Sequence, residues 1–134
     1  MTVQNKPEDR TYHIGKQILT ESDLKVQITY KDEVFTLKLA NPLEKSAIEA
    51  EIARRLGALS REAFSADHVA MVEAATYISN CLVVDESPKW YNPWLCHDEM
   101  LTATLYSGYL RFRDGFRERL AKDGFSPDSG GSKA

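Results

Sequence analysis

Few side chains in this sequence could carry out chemistry, and they are scattered. A nucleophilic cysteine needs a base within hydrogen-bond reach, which points to Cys81 with His68 or His97. Cys81 falls on the apolar stripe of a helical pattern, where cysteine serves as a small buried hydrophobe. His97-Asp98 is half of a metal-ligand pair, but no second histidine or carboxylate motif accompanies it. Cys81 and Cys96 form no CxxC pair and match no zinc spacing. Asp98 and Glu99 suit a helix N-terminus instead, as cap and as charge at the positive dipole end. The chain contains no GxGxxG, GxxxxGK[ST], HExxH or GxSxG. No catalytic residue, cofactor or metal ligand is therefore assigned, and the expectation is a protein that is not an enzyme.

Two other groups are candidates for binding. Arg111, Arg113, Arg117, Arg119 and Lys122, diluted by Asp114 and Glu118, leave a net charge of +3 over residues 110–122. Read sharply, this is a nucleic-acid surface. Read plainly, it is a solvated face whose cations favour a helix C-terminus. The plain reading is preferred, because Arg113 and Arg117 share one face while Arg111 and Arg119 project elsewhere; an acidic protein partner stays open. Trp90, Tyr91 and Trp94 crowd a segment with Pro88 and Pro93. They either plug a gap between helices or anchor a partner, since aromatics dominate interface hot spots. Tyr109, Phe112 and Phe116 form a stripe that is core or the seam of an oligomer. These six aromatics are the candidate partner-binding residues.

The elements that must position these groups follow from periodicity. The chain has 134 residues, 17 Lys and Arg against 20 Asp and Glu, and a net charge of −3. That is the size of one domain, with enough chain to bury a core unaided. No run approaches the roughly 18 apolar residues of a membrane span, and the polar N-terminus has no apolar signal-peptide core. A reducing cytosol fits the two unpaired cysteines. Residues 1–11 read as a solvated arm, 12–123 as the ordered domain, and 124–134 as a Gly/Ser/Pro-rich flexible tail.

Within the domain, period-2 alternation over residues 24–39 predicts a hairpin. Its link, Lys31-Asp32-Glu33, lacks Asn-Gly or Asp-Gly, so a looser loop is expected. His13–Leu19 is a candidate third strand. Asn41-Pro42-Leu43-Glu44 opens a helix that runs to Leu56 before Gly57. A second helix starts near Ser65, with Met71, Ala74, Ala75, Ile78, Cys81 and Leu82 on its stripe, and fades at Val83-Val84-Asp85. A third runs from His97 or Asp98 to about Lys122, along Leu101, Leu105, Tyr109, Phe112, Phe116 and Leu120. Gly108 and Gly115 interrupt it and mark close contacts or a bend. The expected class is α+β, mainly α: an N-terminal hairpin, then three helices, the last one long.

The order FTLKLANPLEKSAIEAEIARRLGAL, LVVDESPKW, HDEML and LYSGYLRFRDGFRERL resembles the small tail assembly chaperones of long-tailed bacteriophages. The matching stretches are Leu39–Leu56, Pro88–Trp90 and Asp98–Phe116, within residues 24–122. The resemblance implies a non-catalytic chaperone in the host cytoplasm. Such a protein binds the helical tape measure protein, helps recruit tail tube subunits, and in many of these phages also has a frameshifted longer form. Physically, it would need an apolar or aromatic groove to hold a client helix and then release it. Three other readings stay open: a structural tail, neck or baseplate subunit using its hairpin for β-augmentation, a small nucleic-acid-binding regulator, and, with least support, an enzyme with an unrecognised pocket. A homo-oligomer is compatible with each.

Overall fold

The computed structural model describes residues 11–14, 17–57 and 61–122. Alternation at residues 24–39 does produce a hairpin. Strands β3 (Lys25–Tyr30) and β4 (Glu33–Lys38) pair antiparallel, with Tyr30 opposite Glu33 and Val26 opposite Leu37. Phe35 and Leu37 are fully buried, while Val26, Ile28 and Tyr30 are half-buried against the same core. The turn is tighter than the sequence predicts. Only Lys31 and Asp32 separate the strands, and both have positive φ, 49° and 69°. That conformation matches the right-handed twist of the strands. Asp tolerates it, and the Lys31 side chain reaches Asp98 at 3.3 Å.

The candidate third strand forms a hairpin of its own. Strands β1 (Thr11–Ile14) and β2 (Gln17–Thr20) pair with each other and do not join β3. A 3₁₀ turn at Glu21–Leu24 diverts the chain between them. Asp23 fixes that turn by accepting the Thr20 N–H at 2.8 Å. Glu21 is buried there, ion-paired to Lys38 at 3.0 Å. Of the expected solvated arm, only Thr11 falls within the described residues. The expected tail lies outside them.

The helices start where their caps predict. Helix α1 (Pro42–Arg55) is opened by a reciprocal cap: Glu44 N–H donates to Asn41 Oδ1 at 2.8 Å, and Asn41 N–H donates to Glu44 Oε1 at 2.9 Å. Gly57 ends it at φ +70°, the left-handed conformation that glycine adopts freely. Helix α2 (Ala66–Cys81) is capped by Ser65, whose Oγ accepts the His68 N–H at 3.1 Å. Helix α3 (Glu99–Lys122) is the long one, with Asp98 accepting the Leu101 N–H at 3.2 Å.

Helix α2 is central. It packs on α1 and α3 and touches β4. Val72, Ala74, Ala75, Thr76, Tyr77, Ile78 and Cys81 are all buried, and the two alanines let α3 approach. The predicted stripe is therefore too narrow, and Met71 does not belong to the core: it is 41% exposed. The core joins Phe35 and Leu37 to Ile48, Ile52 and Leu56 of α1, the α2 face, and Leu101, Leu105 and Tyr109 of α3.

The segment after α2 closes one edge of the sheet. Leu82 bridges to Leu37. Val83 N–H donates to the Thr36 carbonyl at 2.8 Å, and Thr36 N–H donates to Ser87 Oγ at 3.1 Å. Among the described residues no helix is long and apolar enough to cross a membrane.

Candidate functional site

The structure separates the three aromatics that the sequence clusters. They lie in the connection between α2 and α3, beside Pro88 and Pro93, and their rings take different surroundings. Tyr91 goes inward and is buried. It meets Phe35 edge-to-face at 5.2 Å and shares a 2.7 Å hydrogen bond with Thr102. Burial pushes its hydroxyl up to about 12.

Trp94 is half-buried beneath Arg55 of α1, the guanidinium carbon 4.1 Å from its ring centre. Glu51 orients that arginine at 2.9 Å and also accepts from Asn80 at 3.1 Å. Partial burial would raise the Glu51 carboxyl, but the bonds from Asn80 and Arg55 hold it below its ordinary value. Trp90 alone is exposed, at 59%. It stands edge-on to Phe35 and donates from Nε1 to Glu33 at 3.3 Å.

The α3 stripe also divides. Tyr109 is buried, its hydroxyl accepting the Ala40 N–H at 3.1 Å, and burial raises its pKa. Phe116 is buried beneath Arg119, 5.4 Å away. Phe112 is half-buried, 6.5 Å from Phe116. Tyr109 thus joins α3 to the β4–α1 link, and it is Trp90, with Phe112 to a lesser degree, that remains available to a partner.

The remaining chemical candidates are engaged locally. Burial pushes the Cys81 thiol up to about 11, so it stays protonated at neutral pH. His68 stacks on Phe64 at 5.0 Å at the far end of α2, about 20 Å from Cys81 at 1.5 Å per residue. The Asp98 carboxylate is taken up by the Tyr30 hydroxyl at 3.0 Å and by Lys31 at 3.3 Å. Partial burial opposes its ionisation, yet these bonds and the Leu101 N–H hold its pKa below the usual value. Among the described residues no group of three His, Cys, Asp or Glu could hold a metal ion. The cations of α3 do not form a single face. Arg113 and Arg117 reach Asp114, and Arg111 donates to Ser107 at 3.0 Å.

What the sequence reading missed is a groove of about 300 Å³ between the first turns of α2 and α3. Small residues line it: Ala74 and Ala75 of α2 and Thr102 of α3 are buried at its base, and Ala70 and Ala103 are exposed at its rim. Pro93 and Cys96 of the connecting segment complete the lining, and the exposed Met71 and Met100 form its walls. Met100 is 65% exposed. Asp67 and Glu99 add negative charge. The signal was faint. Ala74 and Ala75, three and four residues after Met71, read as helix packing, and both are buried, but Ala70 one turn earlier is left exposed. A groove lined by small residues and walled by methionines accepts apolar side chains of varied shape, because methionine is unbranched and adaptable.

No protein-family model, no curated protein and no solved structure matches this chain.

Proposed function

We propose that this chain is a non-catalytic assembly chaperone that holds an amphipathic helix of a client protein in the groove between α2 and α3. The observation that carries the reading is the groove itself. It is lined from Asp67 to Ala75 of α2 and from Glu99 to Ala103 of α3, its base is made of small side chains, and its walls are methionines left in solvent. Helix-in-groove recognition uses apolar anchors at i, i+3, i+4 and i+7, and the acidic rim of Asp67 and Glu99 favours a client helix with flanking lysine or arginine. Exposed methionine walls suit a binder that must release its cargo, because flexible apolar contacts grip without demanding one shape. Trp90 is a second anchor outside the groove.

With the resemblance to phage tail assembly chaperones, the client of this reading is the tape measure protein, with tail tube subunits recruited afterwards in the host cytoplasm. The test is co-expression with a tape measure protein. Wild-type chain should keep the client soluble and copurify with it. The double variant Met71→Glu, Met100→Glu should remain folded but leave the client insoluble. Equal solubility with both, or none with either, would sink the proposal.

A further inference from the structure

The two edges of the β3–β4 hairpin are treated differently. Leu39 N–H donates to the Leu24 carbonyl at 2.8 Å. In an antiparallel ladder hydrogen-bonded and non-bonded pairs alternate. Counting from Leu24, residues 26, 28 and 30 of β3 bond inward to β4, and the backbone groups of Gln27 and Thr29 face away. Opposite them, Thr36 of β4 also faces outward, and both its backbone groups are taken by Val83 and Ser87. Among the described residues nothing similar covers Gln27 or Thr29, and both are exposed. Proteins blunt such edges with a proline, a bulge or an outward lysine. Strand β3 has no proline, its pairing runs unbroken from Lys25 to Tyr30, and Lys25 is bound instead to Glu86 at 2.8 Å.

We propose that two copies of this chain pair through β3, antiparallel and centred on Gln27, to make a four-stranded sheet. The choice of occupant comes from the register. An antiparallel pair of identical strands has a two-fold axis, so one residue must face its own copy. With the axis at Gln27, the two Gln27 residues exchange both hydrogen bonds. Val26 then meets the second copy's Ile28 on the core side, and β-branched pairs stabilise sheets. Lys25 meets the second copy's Thr29, so no like charges face each other. Centring on Lys25 would oppose two ammonium groups, and centring on Thr29 would run the partner into the Lys31-Asp32 turn. A two-stranded sheet is marginal alone, and this pairing doubles it without disturbing the groove between α2 and α3.

The test is sedimentation of the full chain across a wide concentration range, together with hydrogen exchange. The proposal expects twice the 15.1 kDa chain mass at high concentration. It also expects protection of the Gln27 and Thr29 amides that is lost on dilution. Gln27→Pro removes an N–H that β4 does not use and should give the single-chain mass. Gln27→Lys leaves the backbone intact, sets like charges across the axis, and should weaken association at least about tenfold. It decides the matter if the proline variant fails to fold. A wild-type chain that stays single at every concentration would overturn the proposal, including the case in which β3 takes a strand from a different protein. So would a dimer that Gln27→Lys leaves unchanged.

Discussion

Replacing Gly108 with alanine puts a methyl group where Ile28 already stands. An added Cβ would lie 2.5 Å from Ile28 Cδ1 and 3.3 Å from its Cγ1. Alanine gains about 1 kcal/mol over glycine inside a helix. Forcing a methyl group into a filled site costs about 1–3 kcal/mol. The net effect of Gly108→Ala should therefore fall between no change and a loss of about 2 kcal/mol. Gly115 lies on the same helix with nothing within 4 Å of its added Cβ, so Gly115→Ala should stabilise by about 1 kcal/mol. The two substitutions are chemically identical, and only the neighbour differs. Ile28→Val alone should cost about 0.5–1.5 kcal/mol. Combined with Gly108→Ala it removes the colliding atom, so the pair should be about 1–2 kcal/mol more stable than the two losses added. Urea unfolding followed by far-UV circular dichroism measures the four variants against wild type. Gly108→Ala as stabilising as Gly115→Ala, or a cycle additive within about 0.5 kcal/mol, would refute the β3–α3 contact.

Other substitutions sort the aromatics and the titrating groups. Tyr91→Ala should destabilise by about 3–5 kcal/mol, as for other large aromatics removed from a core, whereas exposed Trp90→Ala should cost well under half of that; chemical denaturation compares them. Asn41→Ala removes one half of the reciprocal cap and should cost about 1 kcal/mol by the same assay. Stability should decline in alkali. The Cys81 thiol ionises at 9.0 in the unfolded chain and at about 11 when folded. Its contribution is full below pH 9.0 and lost as pH rises through about 11, a loss of about 2–3 kcal/mol. Tyr91 extends the decline from 10.0 to about 12. Unfolding midpoints of wild type and Cys81→Ala against pH measure it, and the variant should show the shallower slope.

The parts of the fold legible in the sequence were those written in local chemistry. Asn41, Pro42 and Glu44 announce a helix start because their side chains satisfy backbone groups within one turn. The α3 stripe announces a buried face because its period is helical. The turn at Lys31-Asp32 was not legible, since its left-handed backbone follows from the register of β3 on β4, and neither Lys nor Asp-Glu announces it as Asn-Gly would. The β1–β2 hairpin was hidden for a similar reason: alternation shows that a segment is a strand, not which strand it joins.

At the candidate site, Trp90, Tyr91 and Trp94 look alike in sequence. They are told apart only by Glu33, Phe35, Thr102 and Arg55, which come from other elements. The groove was the least legible feature. Met71 and Met100 belong to different helices, and only the docking of α3 on the alanines of α2 brings them to one opening. Gly108 and Gly115 are instructive as a pair. One marks a close approach to β3, while the other faces open space and no structural need for glycine is seen there.

The groove between α2 and α3 is proposed to receive a client helix. The most direct test is amide chemical-shift mapping of the full chain while an amphipathic helical segment of a tape measure protein is added. The account predicts that the largest shifts fall on Ala70, Met71, Ala74, Cys96, Met100 and Ala103, with smaller ones near Trp90, and that Met71→Glu abolishes them. Shifts confined to the β3 edge or to the cations of α3, with the groove residues unmoved, would contradict it.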